Sequence, residues 1–196
     1  LVQLGKDAGV NTSALLTDMS TPLGKKIGNS LEVEESLEVL SGGGPEDVVE
    51  LTVELAREML TLAGVTDVDP RENLANGKAL DVWRKMIKAQ GGDPDAALPK
   101  AEHWHVIRAS ESGYVSELEA LGIGVASWRL GAGRERKEDA VQFGAGIELH
   151  VQIGEKVNAG DPIMTLYTET PERFERAIGL AENAVGIQEQ KPAERK

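Results

Sequence analysis

The sequence predicts an α/β segment over residues 1–95, mostly helices with one strand of a parallel sheet, followed by a small α+β domain over residues 96–196. Three observations carry this. Between Asn29 and Ala89 the apolar residues recur at three- and four-residue steps, the period of helices with one buried face. From Gly91 to Pro99 the composition turns to Gly, Asp, Ala and Pro, which reads as a linker. Beyond it, short apolar segments are bounded by glycines at the spacing of a β-rich domain. A chain of 196 residues can close two such cores, since domains cluster near about 100–150 residues.

Val2 to Ala8 reads as a helix end, with Gly9 in the place of a left-handed cap. Thr12-Ser-Ala-Leu-Leu-Thr17 reads as the buried parallel strand, ending at Thr17-Asp18-Met19. A lone strand cannot make a sheet, so its partners are expected in a segment outside this chain. A loop over residues 20–29 leads to a helix that starts at Asn29 or Ser30, has Glu32, Glu34 and Glu35 near its positive end, and is expected to bury Leu31, Val33, Leu37 and Leu40. Ser41-Gly-Gly-Gly-Pro45 breaks the chain, and Pro45 opens a helix to about Ala63 whose expected buried stripe is Val48, Leu51, Leu55, Met59 and Leu62. Asp69-Pro70 and Asn76-Gly77 delimit a shorter helix, and Lys78 to Ala89 forms another with Leu80, Trp83 and Ile87 on one side.

In the second part, His103 to Ala109, Gly113 to Leu118, Gly124 to Leu130, Ala145 to Ile153 and Pro162 to Thr168 are the expected strands. Pro171 starts a helix to about Val185 along Phe174, Ile178, Ala181 and Val185, and Gln188 to Lys196 is expected to be a frayed polar tail.

Composition narrows the function classes. Acids outnumber bases 33 to 21, a formal charge of −12, which argues against nucleic-acid binding because phosphate neutralisation needs clustered Lys and Arg. No run approaches the roughly 20 apolar residues of a membrane helix, and the start has no secretory pattern, so a cytoplasmic home is expected. With no cysteine there are no disulfides, thiol nucleophiles or thiolate metal sites. The chain opens on Leu1 in mid-pattern, as expected of a fragment, a processed product or a trimmed chain.

Several local signals have two readings each. Asp18 is either a functional carboxylate past a strand end or a cap of the Ser20–Gly24 turn. Ser41 to Pro45 either cradles an anion at a helix start or merely connects two helices; it lacks the ending of a nucleotide loop. His103 and His105 share a strand face and with His150 could hold a metal, or they are ordinary histidines. Leu130 to Arg136 offers glycines and two arginines that could grip a phosphate, or forms a tight β turn with solvated arginines.

Three stretches, in order, resemble one family. They are Ala14-Leu-Leu-Thr-Asp-Met-Ser-Thr-Pro-Leu-Gly24 with Gly28-Asn29, Leu31-Glu-Val33 and Gly44-Pro45-Glu-Asp47; then Asn76-Gly-Lys-Ala79 through Ala89-Gln-Gly91; then Ser112-Gly-Tyr-Val115, Leu130-Gly-Ala-Gly-Arg134, Glu138-Asp139, Gly144-Ala-Gly-Ile147, Ile153-Gly-Glu-Lys-Val157 and Gly160-Asp-Pro162. Together they resemble the C-terminal portion of the pyrimidine-nucleoside phosphorylases, the family of thymidine phosphorylase. The resemblance implies a dimeric enzyme with an α/β domain and a C-terminal α+β hammerhead domain akin to the barrel-sandwich fold of biotinyl and lipoyl carriers. It implies cleavage of thymidine or a related nucleoside by phosphate, with no organic cofactor.

The family's Lys-His-Ser phosphate motif and its base-binding Arg, Ser and Lys are expected upstream of Leu1, so no catalytic or phosphate-binding residue is assigned here and the isolated chain is expected to be inactive. By the same resemblance a monovalent cation site would draw on the Leu40 and Gly43 carbonyls and the Glu50 carboxylate, and Arg134 would brace the interface with the α/β domain. A competing reading is a carrier or non-catalytic structural module; Lys137 and Lys156 lack the methionine flanks of a biotinylated lysine. An α/β segment without its sheet partners should expose an apolar edge and self-associate.

Overall fold

A strand persists only where a neighbour completes its backbone hydrogen bonds, and this constraint treats the two ends of the chain differently. The computed structural model describes residues 1–134 and 136–193. It contains two compact units: Leu1–Asp18 with Ser36–Ala96, and Met19–Glu35 with the chain from Ala97 onward.

The first unit is helical. Helix α1 (Val2–Asp7) ends as expected, with Gly9 at φ +73° and the Val10 N–H closing back on the Gly5 carbonyl at 3.0 Å. The expected strand at Thr12–Thr17 is absent: no strand is assigned before residue 26, and Leu16 is fully exposed. Its apolar run has the composition of a buried strand, but no strand ladder among the described residues includes it, so the run stays irregular. Helix α2 (Asn29–Leu40) begins where predicted and contributes its last residues to this unit. Helices α3 (Glu46–Leu62), α4 (Pro70–Ala75) and α5 (Lys78–Ala89) follow. Pro45 takes the cap position of α3, so that the helix starts one residue later than predicted, and the Asp69 carboxylate caps α4 by accepting the Arg71 N–H at 3.1 Å.

The core of this unit is Val39, Val49, Val53 and Leu74, with Leu40, Val48 and Ala79 packed against it. The buried face of α3 is therefore Val49 and Val53, not the predicted stripe; on that stripe Met59 is 64% exposed, and Leu55 and Leu62 are exposed as well. Periodicity identified an apolar face correctly, but α3 has two of them, and only the valine face meets α2 and α4. On α5 Leu80, Trp83 and Ile87 are half-buried as expected, while Val82 and Met86 face outward.

The second unit holds two antiparallel sheets. One has the order β1 (Lys26–Ile27), β4 (Gly146–Leu149), β6 (Pro162–Thr168), β2 (His103–Arg108); the other has β5 (Lys156–Val157), β3 (Gly113–Leu118), β7 (Val185–Gln188). Across the first sheet Lys26, Glu148, Thr165 and Val106 form one register row. Gly146 is required here, because a side chain would collide with the Ile27 carbonyl on β1. The core includes Val115, Ile123, Leu130, Ile147, Met164 and Leu166. On α2 the predicted apolar side fails at Val33, which is exposed, while Glu35 is buried because its carboxylate accepts the Lys25 N–H at 2.8 Å.

Two further expectations are corrected. Gly124 to Leu130 is not a strand: α6 (Ala120–Ser127) runs into a π-helical turn at Trp128–Ala132, with Ile123, Ala126, Ser127 and Leu130 buried at helical spacing and the Glu119 carboxylate capping the Leu121 and Gly122 N–H groups. The glycines at 122 and 124 imitate strand boundaries, but Gly122 lies against Ala184, where a larger residue would crowd the packing. The last helix, α7 (Phe174–Asn183), stops short of Val185, and Val185–Gln188 pairs with β3 as a strand where a helix end and tail were expected. Residues 194–196 of that tail lie outside the described residues. The α+β class of this unit holds; among the described residues every strand pairing is antiparallel, and the expected parallel strand is not formed.

Leu166→Ala, at a fully buried position of the interior strand β6, should lose about 2–5 kcal/mol in equilibrium urea unfolding. Leu55→Ala on the exposed face of α3 should stay within about 0.5 kcal/mol of the parent. A loss at Leu55 as large as that at Leu166 would contradict this assignment of the two faces.

Candidate functional site

Three places in the described residues concentrate polar groups in a concave surface, and each belongs to one unit. In the first unit it is the turn between α2 and α3. There the helix end is closed tightly: the Ser41 N–H and hydroxyl both bond the Leu37 carbonyl, the Gly42 N–H bonds the Val39 carbonyl and the Gly43 N–H bonds the Glu38 carbonyl, all between 2.7 and 3.0 Å. These three amides are spent within the turn that connects the two helices, and so are not donors for an anion. The Leu40 carbonyl receives no backbone donor among the described residues. Gly43 lines a hollow of about 170 Å³ beside Glu46 and Arg71, which bond each other at 3.2 Å; Leu40 and Glu50 are not part of that wall, and Glu50 is exposed on α3.

In the second unit, four arginines line a cleft of about 460 Å³: Arg129, Arg136, Arg173 and Arg176. The π-helical turn after α6 supplies the first, the following loop the second, the 3₁₀ turn Pro171–Arg173 the third and the first turn of α7 the fourth. The turn is possible because Gly131 adopts φ +113°. The Trp128 indole N–H donates to the Arg134 carbonyl at 2.9 Å, and the Arg129 guanidinium stacks 4.2 Å above the same ring. Arg173 Nη1 donates to the Arg129 carbonyl at 3.2 Å, and the Asp139 carboxylate accepts the Arg136 backbone N–H at 2.8 Å. Leu130 to Arg134 is thus a helix end and not a β turn; Glu135 lies outside the described residues.

The third place, also in the second unit, is a hollow of about 270 Å³ lined by Ser30, Glu34, Lys100, Glu148 and Tyr167. The Tyr167 hydroxyl donates to Glu148 Oε2 at 3.0 Å, and Lys26 pairs with Glu34 at 2.9 Å. Burial first, and the Glu148 carboxylate second, raise the phenol above its ordinary pKa of 10.0, because both disfavour a phenolate.

The remaining sequence candidates do not assemble. His105 lies against Phe174 in a tilted arrangement with ring centres 5.9 Å apart, His150 bonds the Thr165 hydroxyl at 2.7 Å, and no group of three His, Asp or Glu side chains among the described residues is arranged for a metal. Asp18 follows no strand, which removes the argument for it as a strand-end catalytic group. Lys137 and Lys156 are both exposed, the first in a turn and the second on β5. Sequence reading missed Arg129, Arg173 and Arg176; the spacing of the last two, three apart at a helix start, was visible, but not their meeting with Arg129 and Arg136.

Comparison with known proteins adds to this geometry. Residues 114–188 match the model of the pyrimidine nucleoside phosphorylase C-terminal domain. A thymidine phosphorylase of Mycobacterium tuberculosis is 52% identical over 174 residues, covering 89% of this chain and 41% of the relative. Pyrimidine-nucleoside phosphorylases of Bacillus subtilis, 42% identical over 178 residues, and Staphylococcus epidermidis, 40% identical over 183, cover 85% and 88% of this chain and 41% and 42% of their own lengths. The chain spans about two fifths of the length of these curated relatives and corresponds to their C-terminal portion.

Tyr167 yields a pH prediction. Its folded pKa exceeds the unfolded one, so its contribution to stability is complete below about pH 10 and declines as pH rises through the folded pKa, because the unfolded chain ionises first. Ultraviolet titration of phenolate absorbance should therefore show one of the two tyrosines ionising late, and Glu148→Gln should move that step only part of the way back, since burial is the larger cause. Full return to an ordinary titration would mean that Glu148, and not burial, holds the phenol neutral.

Proposed function

The chain belongs to the pyrimidine-nucleoside phosphorylase family, and from that premise we propose that it is the C-terminal part of a thymidine phosphorylase. In the whole enzyme, a homodimer in the cytoplasm, phosphate attacks C1′ of thymidine. The C1′–N1 bond breaks with its electron pair passing to the base, which gives thymine and 2-deoxyribose 1-phosphate. Positioned donors that hold phosphate and cations that stabilise charge on the departing base supply the acceleration. Those groups belong to the Lys-His-Ser motif and the base-binding Arg, Ser and Lys of the family, which this chain's sequence does not contain, so the chain by itself is a scaffold without turnover. The two-sheet unit is the hammerhead domain of that enzyme.

The observation that carries this reading is 52% identity to a thymidine phosphorylase across 89% of the chain. The outward apolar face of α3, with Leu55, Met59 and Leu62, and that of α5, with Val82 and Met86, support it, since a helix with apolar residues on two sides is suited to packing on both. The Leu40 carbonyl, at the negative end of α2 and without a backbone donor among the described residues, suits a monovalent cation held with the Gly43 carbonyl and the Glu50 carboxylate. A bound cation would there tie α2 to α3.

Phosphorolysis of thymidine and uridine, followed as base release, is the direct test. We expect no turnover by the 196-residue chain and phosphate-dependent turnover, with thymidine preferred, once the chain is extended upstream to the relatives' length. Turnover by the short chain would overturn the scaffold reading. In the extended protein potassium should raise the melting temperature, and Glu50→Gln should abolish most of that rise; an unchanged potassium effect would remove Glu50 from the cation site.

A further inference from the structure

We propose that the arginine-lined cleft of the second unit is a binding site for a sugar phosphate, with the phosphate on its guanidinium groups and the sugar hydroxyls on its carboxylates. This assignment rests on the cleft alone and not on the phosphorylase reading.

The first observation is charge. In a chain of net charge −12, Arg129, Arg136, Arg173 and Arg176 converge on one concavity. Arg136, Arg173 and Arg176 form no ion pair among the described residues, although three carboxylates share the same walls. Asp139 is occupied with the Arg136 backbone N–H, and so organises the loop without neutralising a guanidinium. Arg173, at the cap position of α7, and Arg176, in its first turn, sit three apart at the helix start, where the helix dipole adds positive potential. Arg129 is oriented on the wall of the cleft by its guanidinium, which lies 4.2 Å from the centre of the Trp128 ring.

The second observation is the mixed lining. Glu172 and Glu175 stand beside the arginines. They would repel a bare polyanion, but as acceptors they suit hydroxyl donors carried on the same molecule as the anion. The volume, about 460 Å³, lies within the ordinary range of small-molecule clefts, about 300–1,000 Å³, and exceeds what inorganic phosphate fills. A phosphorylated sugar satisfies all three features at once: dianionic at one end, hydroxylated at the other, and of suitable size.

The experiment is isothermal titration of the 196-residue chain with ribose 5-phosphate, with inorganic phosphate and ribose as comparators. We expect saturable binding of ribose 5-phosphate, weakening as salt rises, no saturable binding of ribose, and affinity for inorganic phosphate lower by about tenfold, the loss of hydroxyl contacts to charged acceptors. Arg176→Gln and Arg136→Gln, both on exposed side chains, should each weaken the sugar phosphate by about tenfold while leaving thermal melting unchanged. Glu172→Gln should narrow the gap between the sugar phosphate and inorganic phosphate. Absence of saturable binding of ribose 5-phosphate, or binding indifferent to both arginine variants, would overturn the site; equal affinity for inorganic phosphate would overturn the sugar phosphate as its ligand.

Discussion

The second unit depends on β6. It is paired on one side with β4 and on the other with β2, and from Ile163 to Thr168 all but Tyr167 are buried. At its end the Thr168 hydroxyl donates to the Leu130 carbonyl at 2.7 Å and accepts the Thr170 N–H at 3.2 Å. Gln142 completes the junction: its backbone N–H bonds the Gly131 carbonyl and its side-chain amide reaches the Thr170 hydroxyl. A sheet strand, a π-helical turn and the start of the 3₁₀ turn that leads into α7 are thereby fixed at one point. The arginine cleft opens beside that junction, whose Thr168–Leu130 hydrogen bond is buried and so costly to leave unmade.

The first unit obeys the same physics with a different outcome. Its four-residue core of Val39, Val49, Val53 and Leu74 is small, and leucine and methionine on α3, valine and methionine on α5, and the run around Leu16 remain outside it. Apolar surface of this extent has a transfer free energy on the order of 25 cal/mol per Å², available to whatever covers it. The missing strand at Thr12–Thr17 follows from the same cause, because an unpaired strand leaves its amides and carbonyls to solvent.

Local signals were the legible part of the sequence. Gly9, Asn29, Pro45, Asp69 and Asn76-Gly77 marked helix limits that the structure keeps to within a residue, because caps act over three or four residues and need no distant partner. Strands β2, β3 and β6 were legible for a related reason, as alternating or continuous apolar runs between turn glycines. Reading failed where a local pattern admitted two answers. Gly122 and Gly124 served a helix packed closely on its neighbour, and Val185 with Ile187 completed β3 instead of prolonging α7. The cleft was legible only as Arg134 and Arg136 beside glycines; that Arg129 joins them with Arg173 and Arg176 was not.

What the sequence by itself determined is where each helix starts, which residues are apolar enough to be buried, and, through its motifs, the family to which the chain belongs. Tertiary structure alone decided which of two apolar faces α3 buries, whether an extended run becomes a strand, and which charged side chains meet. The physical reason is that caps and propensities are interactions between near neighbours in the chain, whereas burial, strand pairing and a shared cleft depend on partners tens of residues away, whose positions no local pattern encodes.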